Sequence, residues 1–378
     1  MSDTTNKKDL SVFSIGTLIL LAVIAYGVYS AYYRFSYGLG PSTNLSDSVP
    51  WGIWIAFDVL CGVALAAGGF TITAAVYIFN MKKYKPIARP AILTAFIGYL
   101  MVVVGLVVDI GQPTRFWHPL VMWQHRSVMF EVVWCITLYS IVLGLEFAPA
   151  FLEKLKLNLL LKFLKFFTFP LVILGIILSF LHQSSLGAFF LIMPGKLHPL
   201  WYSKLMPQMF YISAIAVGLA MVCFESIVSA WAFKRDYETD IIRGVGKGTA
   251  ITLLVYLIVK VADLGMRGAL PLAFDGGTAS KLFLAEVGLG VVAPMVLLAI
   301  RGVRESVSGV LGASVLVIGG VIMNRFNTNF FAQLGSGVSY FPTSKEIGIT
   351  LGLIALGVFL YRLAVVFLPV LHEAKAEH

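Results

Sequence analysis

Ten long runs of apolar residues, separated by short polar or proline-rich connections, organise the chain. Each run holds roughly 20 residues or more, which as a helix matches the thickness of the hydrocarbon core of a bilayer. The pattern therefore predicts an all-α, polytopic membrane fold in one integral membrane domain, residues 1–378, with an uncleaved first span. The predicted spans are 10–33, 51–80, 90–110, 126–151, 163–187, 207–233, 247–266, 282–300, 306–324 and 346–368.

Composition and charge support a membrane protein and give its orientation. Charged residues make up 12% of the chain and hydrophobic ones 59%, against about 25% charged residues in soluble domains. The net charge of +9 does not indicate a nucleic-acid partner, because the basic residues lie in short connections. Eighteen of the 28 lysines and arginines fall at one side of the predicted spans and nine at the other. By the positive-inside rule this predicts that both termini are cytoplasmic.

The cysteines and histidines argue against redox centres in this chain. Cys61, Cys135 and Cys223 each lie in a predicted span without CxxC spacing, so they are not expected to hold an iron–sulfur cluster. Among six histidines, only His182 falls within a predicted span, whereas a transmembrane b haem generally needs two. No nucleotide-binding glycine motif and no HExxH zinc motif occurs. We predict no haem, cluster or metal site, so that electrons must come from another subunit.

The fourth predicted span carries two glutamates, Glu131 and Glu146, that helix formation does not need. Fifteen residues separate them, which puts them roughly 22 Å apart along the axis and some 60° apart around it. A charge at such a depth costs a few kcal/mol or more. Each could simply pair with a cation and fix packing. The alternative is a proton route along one face of this helix.

Other polar residues in the predicted spans sort by depth, most of them near the outer face and few near the inner face. A polar pocket near one face, supplied with protons from the other, would suit the redox conversion of a quinone. That reaction needs an apolar slot, hydrogen-bond partners for the carbonyls, and proton exchange. The predicted quinone-binding residues are Asp58, Asp109, Glu131 and His182. The predicted proton pathway consists of Tyr99, Glu131, Glu146 and Glu225.

Structural roles remain open for several of these residues. Lys260 and Asp263 are three apart on one helix and are expected to neutralise each other, although Asp263 could instead pair with Arg267. Asp109 and Arg325 lie so near the interface that solvation is an alternative to a functional role for each of them. His182 could equally serve as a hydrogen-bonded structural residue or as a ligand.

A weak internal repeat suggests how the spans are grouped. Arg126 precedes Glu131 by five residues, and Lys281 precedes Glu286 by five, in spans that run in the same direction. This spacing predicts two related four-helix bundles, spans 2–5 and 6–9, plus two extra helices.

Six segments carry a resemblance to a known family. They are PWGIWIAFDVLCG (50–62), VYIFNMKKYKPIARPA (76–91), FEVVWCITLYSIVLGLEFAPA (130–150), LHQSSLGAFF (181–190), KLHPLWYS (196–203) and YFPTSKEI (340–347). The chain resembles the NrfD family, the membrane subunits of polysulfide-reductase-type complexes. It is most similar to the HybB-like branch of that family, the membrane subunits of hydrogenase-2-type nickel–iron hydrogenases. The resemblance covers nearly the whole chain and is poor at 112–125 and 264–281.

The resemblance implies a quinone-reactive subunit whose substrate is menaquinone or ubiquinone. It implies a periplasmic ferredoxin-like iron–sulfur subunit as partner and, through it, the large and small subunits of a [NiFe] hydrogenase. It also implies that the predicted site residues match the same residue types in HybB-like proteins. Three alternatives remain: an NrfD-type anchor of a molybdenum oxidoreductase, a secondary transporter, and a passive anchor without quinone chemistry.

Overall fold

A computed structural model describes residues 14–47, 49–193, 195–332 and 340–371. This part of the chain is all-α, and within it the only β pairing is an isolated bridge between Ser46 and Val49. It contains ten helices long and apolar enough to cross a membrane, as the sequence predicts. Spans 1–10 are Ile15–Tyr37, Trp54–Ile78, Lys82–Asp109, Val128–Lys154, Asn158–Ile192, Met206–Ala232, Thr239–Met266, Thr278–Ala299, Val307–Phe331 and Ser344–Phe367.

Most predicted boundaries agree within a few residues, and three differ by more. Spans 3 and 7 begin at Lys82 and Thr239, eight residues before the predicted positions 90 and 247. The added residues include charged side chains, four lysines or arginines in span 3 and Asp240 and Arg243 in span 7. Such residues lower the hydropathy of the sequence, although they can continue a helix into the headgroup region. Span 9 extends to Phe331, beyond the predicted 324, because a wide helical turn continues it through polar residues.

The spans form two rings of four helices. Spans 2–5 pack as one ring, the first bundle, and spans 6–9 pack as another, the second bundle. Spans 6 and 9 also contact span 2, which joins the bundles, while spans 1 and 10 pair with each other and lie against span 3. The predicted grouping is therefore present. The two glutamates that suggested it differ, however, since Glu131 is exposed and Glu286 is buried.

Successive spans alternate in direction, so their connections separate into two ends of the bundle. We call them the inner and outer ends, after the predicted topology. Ion pairs form at the inner end. Arg89 of span 3 contacts Glu153 of span 4 at 2.6 Å, and Arg243 of span 7 contacts Glu305 of the connection 300–306 at 3.7 Å. The inner connections are 79–81, 155–157, 233–238 and 300–306, and the outer ones are 38–53, 110–127, 193–205, 267–277 and 332–343.

Glu346 fastens the outer end of span 10 to the connection before span 2. Its buried carboxylate accepts hydrogen bonds from the backbone N–H groups of Asn44 and Thr343 and from the hydroxyl of Tyr340. Burial, together with this carboxylate, raises the pKa of Tyr340 well above its usual range, so the hydroxyl remains a donor. Trp54 donates its indole N–H to the Glu346 carbonyl and thereby fixes the start of span 2.

Wide π-helical turns interrupt the spans beside polar residues. An extra residue per turn rotates the following side chains, and such turns are frequent at functional sites. Asp58 lies within the first of them, and two others lie beside Glu286 and Asn324. The π-helical segments are Trp54–Cys61, Ala74–Ile78, Gly288–Val292 and Asn327–Phe331.

Spans 2 and 6 approach each other at two glycines. A Cβ built on Gly218 would lie 2.6 Å from the carbonyl carbon of Ala67 and from the amide nitrogen of Gly68. Small residues allow such close backbone contact between membrane helices, and the glycine-rich stretch 60–70 supplies them here. This contact brings the two bundles together.

Gly218→Ala is expected to destabilise the protein by about 1–3 kcal/mol, because the new methyl meets fixed backbone and must force the two bundles apart. Gly312→Ala is the matched control, since a Cβ there has no neighbour within 4 Å. Thermal unfolding in detergent measures both variants. Equal stability of the two variants would contradict the proposed role of the close approach.

Candidate functional site

Tyr99 and His182 form a buried pair in the core of the first bundle. The Tyr99 hydroxyl lies 3.0 Å from His182 Nδ1, and both side chains are almost completely inaccessible. Tyr139 packs edge-on against Tyr99 with ring centroids 4.6 Å apart. The next residue after the histidine, Gln183, donates from Nε2 to the carbonyl of Val63 at 2.9 Å. Spans 2, 3, 4 and 5 all contribute to this cluster.

Three atoms of the cluster have unused hydrogen-bonding capacity. His182 Nε2, Gln183 Oε1 and Tyr139 Oη are buried and make no hydrogen bond of normal geometry among the described residues. Buried polar atoms in native proteins are nearly always satisfied, so each such atom indicates a missing partner such as a water or ligand. An imidazole bonded to a tyrosine through one nitrogen can bond a third group through the other. This arrangement suits proton transfer to or from a bound molecule.

Asp58 and Asp109 lie in a second polar region, between spans 2, 3 and 10. Asp58 is 7% exposed and accepts a hydrogen bond from Thr350 at 2.9 Å. Its Cβ lies beside Gly105, one helical turn before the half-buried Asp109. Arg34 closes this end of span 3 by donating to two carbonyls, those of residues 108 and 110. A carboxylate in this region is thus shielded from solvent on several sides.

The four predicted quinone ligands do not form a single cluster in the described contacts. Asp58 and Asp109 are neighbours, whereas His182 bonds Tyr99 in the bundle core. Glu131 lies in the first turn of span 4, and its side chain is exposed on the surface of the helix bundle. Within the described residues, no hydrogen bond or ion pair joins these three locations. The assignment of all four residues to one site stays a prediction.

Glu146 and Glu225 occupy separate positions toward the inner end. A Cβ at Gly175 would lie 3.5 Å from Oε1 of Glu146 and 3.6 Å from a ring carbon of Tyr139, so the missing side chain leaves room beside both. Glu225 Oε2 instead accepts a hydrogen bond from Thr94 of span 3 at 2.7 Å. No described hydrogen bond joins the two carboxylates. A structural alternative, in which the two glutamates hydrogen-bond each other and clamp spans 4 and 6 together, therefore has no support among the described contacts.

The second bundle contains a buried ionic network that the sequence analysis did not assemble. Glu286 accepts hydrogen bonds from Trp201, Asn324 and Asn327 at 2.7–2.8 Å, and Lys260 lies 3.7 Å from it. The expected pairing of Lys260 with Asp263 is therefore wrong. The polar run at 324–329 was the sequence signal for the two asparagines.

Asp263 forms the alternative pair that the sequence left open. Arg267 contacts it at 2.6 Å across one helical turn, and Ser203 donates to its other oxygen at 2.7 Å. Arg325 is 1% exposed and is held by Asn324, Ser213 and the face of the Phe210 ring. Burial of Arg325 rules out the solvated position that its nearness to the interface suggested.

Comparison with known proteins places this arrangement in a family. The family model described as "Polysulphide reductase, NrfD" matches residues 41–334, most of the ten-helix core. The chain belongs to the NrfD family. A protein from Nitratidesulfovibrio vulgaris strain Hildenborough is 42% identical, with 98% of this chain and 97% of that protein covered. The matched range contains the Tyr99–His182 cluster, both glutamates of the inner half, and all four spans of the second bundle.

Two other relatives of the NrfD-family chain carry informative names. The probable Ni/Fe-hydrogenase 2 b-type cytochrome subunit of Escherichia coli K12 is 32% identical, with 90% of this chain and 88% of that protein covered. The menaquinone reductase integral membrane subunit of Nitratidesulfovibrio vulgaris is 29% identical, with 96% of this chain and 93% of that protein covered. The similarity extends over almost the full length in both cases.

The name of the hydrogenase relative raises the question of a b haem. The described spans contain a single histidine, His182, whose Nδ1 already bonds Tyr99. A haem with two axial histidines does not fit the described spans, so the proposed mechanism uses no haem. We expect no stoichiometric b-type α band in the reduced-minus-oxidised spectrum of the purified subunit. Such a band, lost on replacement of His182, would contradict this expectation.

Proposed function

We propose that this NrfD-family chain is the quinone-reactive membrane subunit of a respiratory oxidoreductase complex. The observation that carries the proposal is the buried Tyr99–His182 pair, with its unpartnered His182 Nε2 in the core of the first bundle. A quinone carbonyl is a hydrogen-bond acceptor, and its reduction requires a proton at that oxygen. An imidazole N–H, on a ring whose other nitrogen bonds a tyrosine, can supply both the hydrogen bond and the proton. The menaquinone reductase subunit among the relatives supports the choice of substrate.

The reaction is the conversion of quinone to quinol with two electrons and two protons, or its reverse. This chain is not expected to hold a redox centre, so an iron–sulfur partner would supply or accept the electrons. Tyr99 and His182 would hydrogen-bond the head group and exchange its protons. Asp58 and Asp109 lie nearer the outer end, where they would orient or protonate the second carbonyl. Glu131, on the outside of span 4, remains a predicted quinone-binding residue.

Protons would reach this site from the inner end. Glu146 lies beside Tyr139, and Tyr139 packs on Tyr99, so these side chains form a line through the first bundle toward His182. Glu225 enters from span 6 and reaches span 3 through Thr94. Waters would have to bridge the remaining gaps, because these carboxylates do not contact Tyr99 directly. Side chains and waters together would make a relay across most of the membrane.

The partner would dock on the outer end. The connection 110–127 exposes Trp117, Met122 and Trp123, which are 44–62% exposed and offer an apolar surface beside the first bundle. Aromatic residues and methionine are enriched at protein interfaces. We assign this surface to a ferredoxin-like iron–sulfur subunit that connects to the large and small subunits of a [NiFe] hydrogenase. The hydrogenase relative supports that choice, while an anchor for a molybdenum enzyme would use the same membrane chemistry.

Isolation of the intact complex tests this proposal. We expect an iron–sulfur subunit to copurify and the complex to reduce a quinone with hydrogen. Nickel in the soluble part identifies a hydrogenase, whereas molybdenum identifies the alternative partner and leaves the quinone assignment intact. A purified complex that transfers electrons to dyes but never to quinones would contradict the proposed function. A passive anchor predicts that last result.

Topology is a separate expectation of the proposal, with the protein in the inner membrane and both termini cytoplasmic. Reporter fusions at Lys83 and Lys156, in or beside inner connections, should report a cytoplasmic location. A fusion at Ser336, which lies outside the described residues, should report a periplasmic one. A cytoplasmic signal at Ser336 would overturn the topology. It would also move the docking surface to the other side of the membrane.

A further inference from the structure

A small cavity lies at the inner end, between spans 3, 6 and 10 and the connection before span 7. Its volume is about 30 Å³, enough for one or two waters. Polar side chains from three parts of the chain line it, including Glu225, Ser229, Glu238 and Tyr361. The exposed Asp236 also lines it, so the cavity reaches the surface of the chain.

Four buried polar atoms in the lining make no hydrogen bond of normal geometry among the described residues. They are Glu225 Oε1, Ser229 Oγ, Glu238 Oε2 and Tyr361 Oη. Tyr361 is near enough to Glu225 and Ser229 to interact with both side chains. Buried polar atoms need hydrogen-bond partners, so four around one space need a common explanation. A cavity of this size with two to four polar partners meets the requirements for an ordered water.

We propose that this inner cavity holds waters that carry protons between the inner surface and Glu225. The proposal rests on the proposed function, because it extends the proton route to the aqueous phase. Glu238 and Asp236 would exchange protons with solvent, and the waters would pass them to Glu225 Oε1. Glu225 Oε2 is already bonded to Thr94, which directs the second oxygen toward span 3. Each transfer moves one proton and changes no oxidation state.

A purely structural cavity would have a different lining. Empty cavities in proteins are apolar, whereas polar cavities are hydrated. Here serine, tyrosine and glutamate side chains line the space and retain hydrogen-bonding capacity, and one of them, Glu225, belongs to the predicted proton pathway. Pro86 and Pro90 of span 3 and Arg235 of the connection also line the cavity. Proline lacks a backbone N–H, so the waters would depend mainly on side chains for hydrogen bonds.

Two variants test the proposal in the intact complex. Ser229→Val adds volume that displaces water, and Tyr361→Phe removes a hydroxyl without changing the packing. We expect each to slow quinone-dependent turnover, about tenfold for Ser229→Val, with a larger solvent deuterium isotope effect and unchanged dye reduction. The matched controls are Ser184→Val and Tyr32→Phe, outside the cavity lining, which should behave as wild type.

Comparison with Glu225→Gln separates this proposal from the proposed function. Slow turnover in Glu225→Gln with wild-type rates in both cavity variants would overturn the cavity and leave the proton route through Glu225 intact. A wild-type rate in Glu225→Gln would overturn both the cavity proposal and the proton route through Glu225. Should Ser229→Val lower the yield of the complex, Tyr361→Phe decides alone. A wild-type rate and isotope effect in Tyr361→Phe then contradict the proposal.

Discussion

His182→Ala is expected to lower quinone-dependent turnover about 100-fold or more, while hydrogen-dependent dye reduction by the soluble partner stays unchanged. General acid–base groups contribute about 10²- to 10⁴-fold, and His182 offers the one unpartnered imidazole nitrogen in the described spans. The variant also removes the hydrogen-bond partner of the Tyr99 hydroxyl. Turnover of the purified complex with a soluble quinone analogue and with a dye, measured side by side, gives the result.

Further variants assign the roles within the site. Tyr99→Phe keeps the ring that packs on Tyr139 and should reduce turnover less than His182→Ala does. Glu131→Gln tests whether the quinone site extends to the outside of span 4. A loss of quinone-dependent turnover as large as that of His182→Ala would support Glu131 as a member of the site. Full activity would remove Glu131 from the site. Parallel loss of quinone and dye activities in His182→Ala would indicate failed assembly and withdraw support from the assignment.

The Glu146→Gln, Glu225→Gln double variant is expected to slow quinone turnover by at least about tenfold while the complex assembles normally. Glutamine keeps the shape and can still accept the hydrogen bond from Thr94, but it cannot pass a proton. Where proton uptake from the inner side makes turnover electrogenic, an imposed membrane potential should change the wild-type rate and affect the variant less. Turnover in proteoliposomes, with and without potential, measures both effects.

Glu305→Gln is the matched control for this double variant. Glu305 is an exposed carboxylate at the inner end that pairs with Arg301, and that pairing lowers its pKa. Its replacement changes surface charge at the same end without touching the relay, so turnover should stay at the wild-type rate. Unchanged turnover and unchanged potential dependence in the double variant would end the relay proposal.

The sequence predicted the helices well because hydropathy reports directly on contact with lipid. The number of spans and most boundaries follow from apolar runs of membrane length. The early starts of spans 3 and 7 were missed because charged residues lower the hydropathy of turns that are still helical. Close packing of span 2 could be anticipated from its glycine-rich stretch, though the partner of Gly68 in span 6, Gly218, could not.

The candidate site was less accessible to sequence reasoning, because polar partners come from distant parts of the chain. Spacing on one helix suggested that Lys260 neutralises Asp263, but Lys260 lies against Glu286 of the next span instead. Helix geometry placed Glu131 and Glu146 on one side of span 4. It could not show that packing leaves Glu131 exposed while Glu146 faces Gly175. The depth of a polar residue in the membrane could be predicted from the sequence, but its neighbours on other helices could not.

The ionic network of the second bundle has a consequence for leakage of ions past the complex. Lys260 and Arg325 are two buried cations, and Glu286 is the one carboxylate in their described contacts, which leaves an excess positive charge in the core. A fixed positive charge in a medium of low dielectric constant repels any cation that approaches it. We therefore expect hydronium and sodium to meet an electrostatic barrier in the second bundle, beside the first. This half of the protein is expected to be poorly permeable to cations.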